Sequence, residues 1–416
     1  MSPTPVPPGR DRWRLTLHRR QFSDTPWEST LITELPSARG RRLDQQLNSS
    51  ATLTFTLDGQ SDPAALVQEL AHDVVAWRWD DAQGKDIAYF RGIISQSEDQ
   101  LSEQSHSVTF TAHDYIAMLT RRFVTANVTF AATDQDSIVA ALLNNARAVF
   151  STPGTTSFAP GSYLPVRQVQ VAGDGVTSRG PSGQTRDRTY AGSQQIGSAL
   201  DDLAHVIGGF DYDVVPAWRF GGTDQYDWFR IFYPSQGVIR TEPVLEYGGK
   251  IASVTRSINS GDYSNFERVL GNNGSVDPNA AQLYSERWNS DSNNVTVTPL
   301  GLWMDAQNNA DVSVQATLDQ AAAGALNLNG LLVPSYTLTL APRTYRDGLV
   351  NMGDTVPVVI RSGRLNVNTT LRIVGLSFDM GDDGEEDVEV TVGRPLNSLV
   401  DLLTATEADV NALARR

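Results

Sequence analysis

Polar and apolar residues alternate along much of this chain with the two-residue period of a strand that has one wet face. The clearest case is Ala51 to Leu57, where Leu53, Phe55 and Leu57 face one way and Thr52, Thr54 and Thr56 the other. Tyr336, Leu338 and Leu340 alternate with Thr337 and Thr339 in the same manner. From Leu349 to Gly393 the pattern predicts three strands and two hairpin connections. Met352-Gly353-Asp354 reads as a tight turn, because glycine accepts positive φ and Asp bonds its own backbone. Thr355 to Ile360 follows as a β-branched run, Arg361 to Asn368 as a turn, and Leu371 to Met380 as the next strand. After Gly381-Asp382-Asp383-Gly384, Val388, Val390 and Val392 alternate with Asp387, Glu389 and Thr391.

Upstream, strands are expected at Trp13–Arg19, Ser29–Leu35, Val74–Trp79, Ile87–Ser95 and Ser107–Thr111, with a short helix opened by Asp62-Pro63. A helix is expected over His113–Arg122. The period then changes to that of helices. Ile138, Val139, Leu142, Leu143, Ala146 and Val149 mark one face, and Ile196, Leu200, Leu203 and Val206 another within Ser193–Ile207. A Gly- and Ser-rich stretch, 151–192, separates these two helices without a period of its own. Phe210–Val215 and Trp228–Tyr233 read as a hairpin. Further strands are expected at Ile251–Ile258 and Phe266–Leu270, and helices at Asp311–Leu328 and Asn397–Ala414.

These elements give a mainly β fold with an α+β part: two tube-type antiparallel β-barrel domains, a small α+β domain and peripheral helices. The expected boundaries are an N-terminal arm at 1–10, a first barrel at 11–122, the α+β domain at 123–236 with the long loop 151–192, a second barrel at 237–395 with the helix 311–328, and a C-terminal helix at 396–416.

Composition narrows the function. With 416 residues the chain accommodates two or three cores. It has no cysteine, which removes disulfides, thiolate metal sites and cysteine nucleophiles together. No apolar run approaches the roughly 20 residues of a spanning helix, and MSPTPVPPGRDRW lacks the apolar core of a signal peptide. The net charge of −15 is uneven: residues 1–42 carry +4, leaving −19 for the remainder. An acidic body of this kind argues against a phosphate-neutralising surface. Arg12, Arg14 and His18 read as the solvated face of a strand whose other face is Trp13, Leu15 and Leu17.

Candidate chemistry does not assemble. His72-Asp73 and His113-Asp114 are paired metal-ligand types, but Asp114 is better explained as an acid at a helix start. The histidines show no HExxH spacing and there is no GxSxG elbow. Gly173-Asp174-Gly175 lacks a phosphate-loop Lys, and Gly248-Gly249-Lys250 does not open such a loop. Asp382, Asp383, Glu385, Glu386 and Asp387 lack the alternating ligand spacing of a calcium loop and read as a solvated hairpin tip. No catalytic, cofactor-binding or metal-ligating residue is assigned.

The order of elements does carry a resemblance. A strand containing Phe90-Arg-Gly-Ile-Ile94 precedes Val108-Thr-Phe-Thr-Ala-His-Asp-Tyr-Ile-Ala-Met-Leu-Thr-Arg-Arg122. An Ala-rich helix, a strand and Leu349-Val-Asn-Met-Gly-Asp-Thr-Val356 follow much later. Over residues 11–395 this resembles the tail-tip or baseplate hub proteins of tailed bacteriophages and related contractile injection machines, often called minor tail proteins. The 151–192 insertion has no counterpart in the pattern, and no fused lysozyme or peptidase domain is visible.

The resemblance implies a non-enzymatic structural protein of the virion tail tip, assembled in the host cytoplasm, with no cofactor and no stable membrane insertion. It implies a homotrimer in which two barrels per subunit match a six-fold tail tube to a three-fold spike or fibre. The implied partners are a distal tail or tail-tube ring protein, the tape-measure protein C-terminus and a central spike or fibre protein, with DNA passing through the lumen without specific binding. Acidity would suit such a lumen, since like charge discourages sticking. The alternatives are a tail-associated cell-wall hydrolase and a receptor- or carbohydrate-binding tail protein, the latter with Trp77, Trp79, Trp218 and Trp228 stacking on sugar rings.

Overall fold

The structure, a computed structural model, describes residues 11–21, 28–147, 149–152, 155–159, 166–168, 182–204, 208–216, 218, 227–258, 260–261, 263–271, 282–288, 301–309, 315–330, 334–342, 344–345, 349–382 and 384–393. The expected arm at 1–10, the C-terminal helix at 396–416 and half of the 151–192 loop lie outside these residues.

Strands dominate. The first stretch forms β1 (Trp13–Gln21), β2 (Glu28–Glu34), β3 (Arg39–Gln46) and β4 (Thr52–Asp58), then α1 (Asp62–Leu66). β5 (His72–Asp80), β6 (Lys85–Leu101), β7 (His106–His113) and α2 (Ile116–Leu119) complete it. The middle stretch contains β8 (Val128–Asp134), α3 (Gln135–Arg147), β9 (Val149–Thr152), β10 (Thr155–Ala159) and β11 (Val166–Gln168). β12 (Thr185–Tyr190), α4 (Ile196–Ala204), β13 (Asp211–Pro216) and β14 (Asp227–Phe232) follow. The last stretch begins with β15 (Leu245–Glu246), β16 (Ile251–Ser257), β17 (Phe266–Gly271), β18 (Tyr284–Trp288) and β19 (Met304–Asn309). It ends with α5 (Gln315–Asn329), β20 (Ser335–Leu340), β21 (Thr355–Ser362), β22 (Leu365–Met380) and β23 (Glu386–Gly393). The chain divides into two compact units, residues 255–336 and everything else.

In the larger unit, strands from both ends of the chain enter one 13-stranded sheet, whose main path runs β16-β20-β23-β22-β3-β4-β7-β6-β5-β1-β2. The join is β22 against β3, with Phe378 opposite Leu43 and Asp379 opposite Arg42. Over its sixteen residues β22 pairs with β21 through its first half and with both β23 and β3 through its second.

Side chains reinforce that join. Arg78 on β5 is wholly buried and bonds Glu386 at the start of β23 through Nε (3.0 Å) and Nη2 (2.7 Å). The Trp13 indole donates to the same carboxylate at 2.8 Å. Tyr345, Trp13, Phe378 and Tyr89 ring the guanidinium, with centroids 5.1 to 6.0 Å from Cζ. A fork-shaped cation whose partner and surrounding ring faces are preassembled keeps its charge out of water at tolerable cost. Glu386 therefore departs from its expected place at a solvated hairpin tip: it is an internal counter-ion.

A second lock joins β13 to the Gly353 turn. Arg372 donates to Gly353 O (3.0 Å), to Gln236 O (2.9 Å) and to the Asp211 carboxylate. Asp354 accepts from the amides of Val238 (2.9 Å) and Asn351 (2.8 Å) and from Arg240. Gly237 (φ +88°) and Gly353 (φ +82°) lie back to back, so a Cβ on Gly237 would sit 2.1 Å from the Gly353 carbonyl carbon.

The middle stretch packs α3 and α4 over the β13–β14 hairpin. Ile138, Leu142, Ile196, Leu200, Leu203 and Phe229 fill its core together with Tyr115, Ile116 and Leu119. The helix expected over His113–Arg122 is only the four residues of α2, because β7 continues to His113 and Asp114 turns its carboxylate back onto Ile116 N at 3.0 Å. The unit at 255–336 is a three-stranded sheet, β18-β17-β19, with α5 packed on Val269 through Leu318 and Ala322.

Two substitutions test these locks by denaturant unfolding. Glu386→Ala strands a buried guanidinium and is expected to cost about 3–5 kcal/mol. Gly237→Ala meets backbone and an unfavourable φ, and is expected to cost about 3 kcal/mol or more. An unfolding midpoint unchanged by either substitution would contradict the corresponding lock.

Candidate functional site

The most extended surface feature is the polar face of the long sheet. Pairing registers align it strand by strand. Asp387, Glu389 and Thr391 on β23 lie beside Asp379, Ser377 and Gly375 on β22. The latter three lie beside Arg42, Asp44 and Gln46 on β3. Arg42 and Asp44 neighbour Thr54 and Thr52 of β4, which with Thr56 and Asp58 neighbour His113, Thr111, Thr109 and Ser107 of β7. Gln96, Glu98 and Gln100 of β6 extend the rows. The alternate residues, among them Leu43, Leu53, Phe55, Phe110, Phe378 and Val390, are buried on the other side. One polar face thus crosses six strands and passes without interruption from the start of the chain to its end.

Its chemistry is hydroxyl and acid. Asp44, Asp58, Glu98, Asp379, Asp387 and Glu389 stand against Arg39 and Arg42. Arg42 is itself tied to Asp44 (3.0 Å) and Glu389 (2.8 Å), and the Glu389 hydrogen bond leads the causes that hold its charge more firmly than usual. Thr56 and Thr109 share a hydroxyl contact at 3.0 Å, and Thr52 meets His113 Nδ1 at 3.1 Å. Burial lowers the His113 pKa, which keeps that ring neutral near pH 7. Among the described residues the acids of this face outnumber Arg39 and Arg42, a balance that disfavours retained phosphates.

The acids of the sequence's paired motifs are buried as structural groups, while His113 stands on the face itself. Asp73 accepts Arg91 Nη2 (3.2 Å), Arg91 Nε (3.3 Å) and the Tyr115 hydroxyl (2.5 Å), while Arg91 Nη1 reaches Asp227 at 3.5 Å. Gly92 follows because a Cβ there would lie 2.6 Å from His113 O. Asp114 accepts Ser50 Oγ (2.7 Å) and the amides of Ala51 (2.9 Å) and Ile116. The Phe90-Arg91-Gly92 run and the Asp114 motif are therefore the fastening between β5, β6, β14 and α2. His72 and His113 do not converge with these acids on a shared ligand position, and among the described residues no group of three or more metal-ligating side chains is placed to hold an ion.

Other expectations shift as well. His18 is buried between Thr16 (2.9 Å) and Ser29 (3.2 Å), and Arg14 lies over Trp77, so this face of β1 is not a solvated one. Trp77, half-buried, stacks on Trp218 with a 5.9 Å centroid separation, and Trp79 is buried. A cavity of about 320 Å³ lies against Asp80, Asp213, Arg230 and Gln236. Within it Arg230 clasps Asp213 at 2.8 and 2.6 Å, while Asp80 is held by the Ala82 and Gln83 amides.

Burying Asp73 and Asp227 against one guanidinium, and Asp114 against hydroxyl and amide donors, has a cost that pH exposes. Desolvation pushes both Asp114 and Asp227 up to about 7. An acid raised in the fold binds more protons folded than unfolded between its ordinary pKa near 4 and about 7. Its stabilising contribution is therefore full below pH 4 and falls as pH rises to 7. His18, lowered by burial to about 4, runs the other way, so stability gained from it rises between pH 4 and 6.5. Asp227→Asn isolates one of these effects. The stability difference, wild type minus variant, is expected to decline from pH 4 to 7 and level off above, as followed by urea unfolding. A difference independent of pH would contradict the assignment.

No protein-family model matches the chain, and a search of curated proteins returns no match. Solved structures do match over nearly the full length. A tail protein from Neisseria meningitidis MC58 aligns with a TM-score of 0.52 at 13% identity, covering 93% of this chain and 99% of its own. The 43 kDa tail protein of prophage MuSo2 from Shewanella oneidensis aligns with a TM-score of 0.53 at 10% identity, covering 92% of this chain and 99% of its own. At these identities the likeness is one of fold, and the mainly β fold of this chain is shared with phage tail proteins.

Proposed function

We propose that this chain is a structural hub of a phage tail tip or baseplate, residing in the virion and carrying no catalytic site. Three copies form a ring, and in each copy the modules 11–122 and 237–395 act as the two barrel-type halves, with 123–236 packed beside them. The ring adapts a six-fold tail tube to a three-fold spike or fibre, and DNA passes through its lumen without specific binding. The neighbouring positions belong to a distal tail or tail-tube ring protein, the tape-measure protein C-terminus and a central spike or fibre protein.

One observation carries this reading: the uncovered acid- and threonine-lined face that runs from β6 through the β3–β22 join to β23. A wall for moving DNA has to be long, polar and free of phosphate-retaining cations. Two modules contribute to that wall from one chain, which supports the doubling of three subunits into six positions. The fold shared with tail proteins over 92–93% of this chain supports the same assignment.

Mass measurement of the purified chain, alone and with its tail neighbours, tests the ring. The expected species has three times the chain mass. A monomer both in solution and in assembled particles would overturn the proposal.

A further inference from the structure

The 255–336 unit carries a sheet face whose opposite side is covered by α5. Registers lay that face out as three cross-strand rows. They are Trp288, Phe266 and Met304; then Glu286, Arg268 and Ala306; then Tyr284, Leu270 and Asn308. Tyr284, Trp288 and Met304 are 53%, 54% and 61% exposed. The Phe266 and Trp288 rings are within 7° of parallel, with centroids 6.4 Å apart. Arg268 lies 5.5 Å from the Tyr284 ring centre.

The middle row is polar and incompletely used. Arg268 donates through Nε (2.7 Å) and Nη2 to a single oxygen, Oε1 of Glu286. Arg268 Nη1 and Glu286 Oε2 have no hydrogen-bond partner among the described residues. An open donor and an open acceptor therefore stand side by side between aromatic rings. Their charges cancel locally, on a chain of net charge −15.

Size decides the kind of occupant. Strand spacing and rise make this face about 10 by 14 Å, whereas a stable protein interface buries about 800 Å² on each partner. The face is too small to hold a protein by itself and suits a short, uncharged, flat ligand. A pyranose ring has an apolar C–H face that settles on the negative face of an aromatic quadrupole. Its neighbouring hydroxyls both donate and accept, the complement of a guanidinium beside a carboxylate.

We propose that this face binds a neutral oligosaccharide, with Trp288 and Phe266 under a sugar ring and the Arg268–Glu286 pair holding adjacent hydroxyls. The site relies on no part of the hub reading.

The test uses the full chain on an array of neutral hexose and N-acetylhexosamine oligosaccharides, followed by calorimetric titration of the best binder. Trp288→Ala is expected to weaken binding at least tenfold and Glu286→Gln several-fold, while Trp303→Ala, outside the nine-residue face, changes it less than twofold. Circular dichroism checks each fold, and the near-isosteric Glu286→Gln at a half-buried position keeps the test open if Trp288→Ala misfolds. Absence of binding across the array, or affinities untouched by both Trp288→Ala and Glu286→Gln, would overturn the proposal. So would a Trp288→Ala variant that changes oligomeric mass without any glycan bound, which would make the face a protein contact.

Discussion

A buried guanidinium holds this molecule's two ends together. Arg78 and Glu386 are 308 positions apart, yet each is the other's condition for being inside. Removing either leaves a desolvated charge, and that is costly, whereas the assembled pair with Trp13, Tyr89, Tyr345 and Phe378 around it is self-consistent. The same geometry sets the register of β22 on β3, because Phe378 lies in the cage and opposite Leu43. A one-residue slip on that join would turn every inward side chain of β22 outward.

Continuity of the sheet is what gives the polar face its length. With β3 and β22 paired, threonines from the start of the chain and carboxylates from its end share one surface. Arg372 and the Gly237–Gly353 contact then fix the middle stretch to this body by backbone proximity. Inside the body Arg78 is matched by Glu386 and Arg372 by Asp211, while Asp114 rests on hydroxyl and amide donors alone. The charged groups on the face are only partly covered, Arg42 being shared between Asp44 and Glu389.

Much of this was legible from residue pattern. The β4 and β23 alternations, the β13–β14 hairpin and the positive-φ turn at Gly353 follow from local periodicity and turn chemistry. The join itself was not. β3 reads Arg-Gly-Arg-Arg-Leu-Asp-Gln-Gln, with no apolar alternation to announce a strand, and its partner lies more than three hundred positions away. Glu386 sat among Asp382, Asp383, Glu385 and Asp387, and nothing local distinguishes the one acid that meets a buried cation. Likewise Trp77 and Trp79 look like Trp288 in sequence, but sheet position buries Trp79, half-buries Trp77 against Trp218 and exposes Trp288. Long-range pairing, not composition, decides these cases. The family resemblance rested on the order and spacing of Phe90-Arg91-Gly92, the Asp114 motif and the Gly353-Asp354 turn, of which the first two form a fastening and a close backbone approach.

The absence of cysteine makes the central claim directly measurable. A single cysteine in place of Thr54, at the middle of the polar face, can be labelled with a small maleimide and with one carrying a large polymer. In the free chain both reagents are expected to react. In assembled tail particles the account predicts that the small reagent still reacts while the large one is excluded, because the face lines an enclosed passage. Equal reaction of the large reagent in particle and free chain would place this face on the outside and contradict the account.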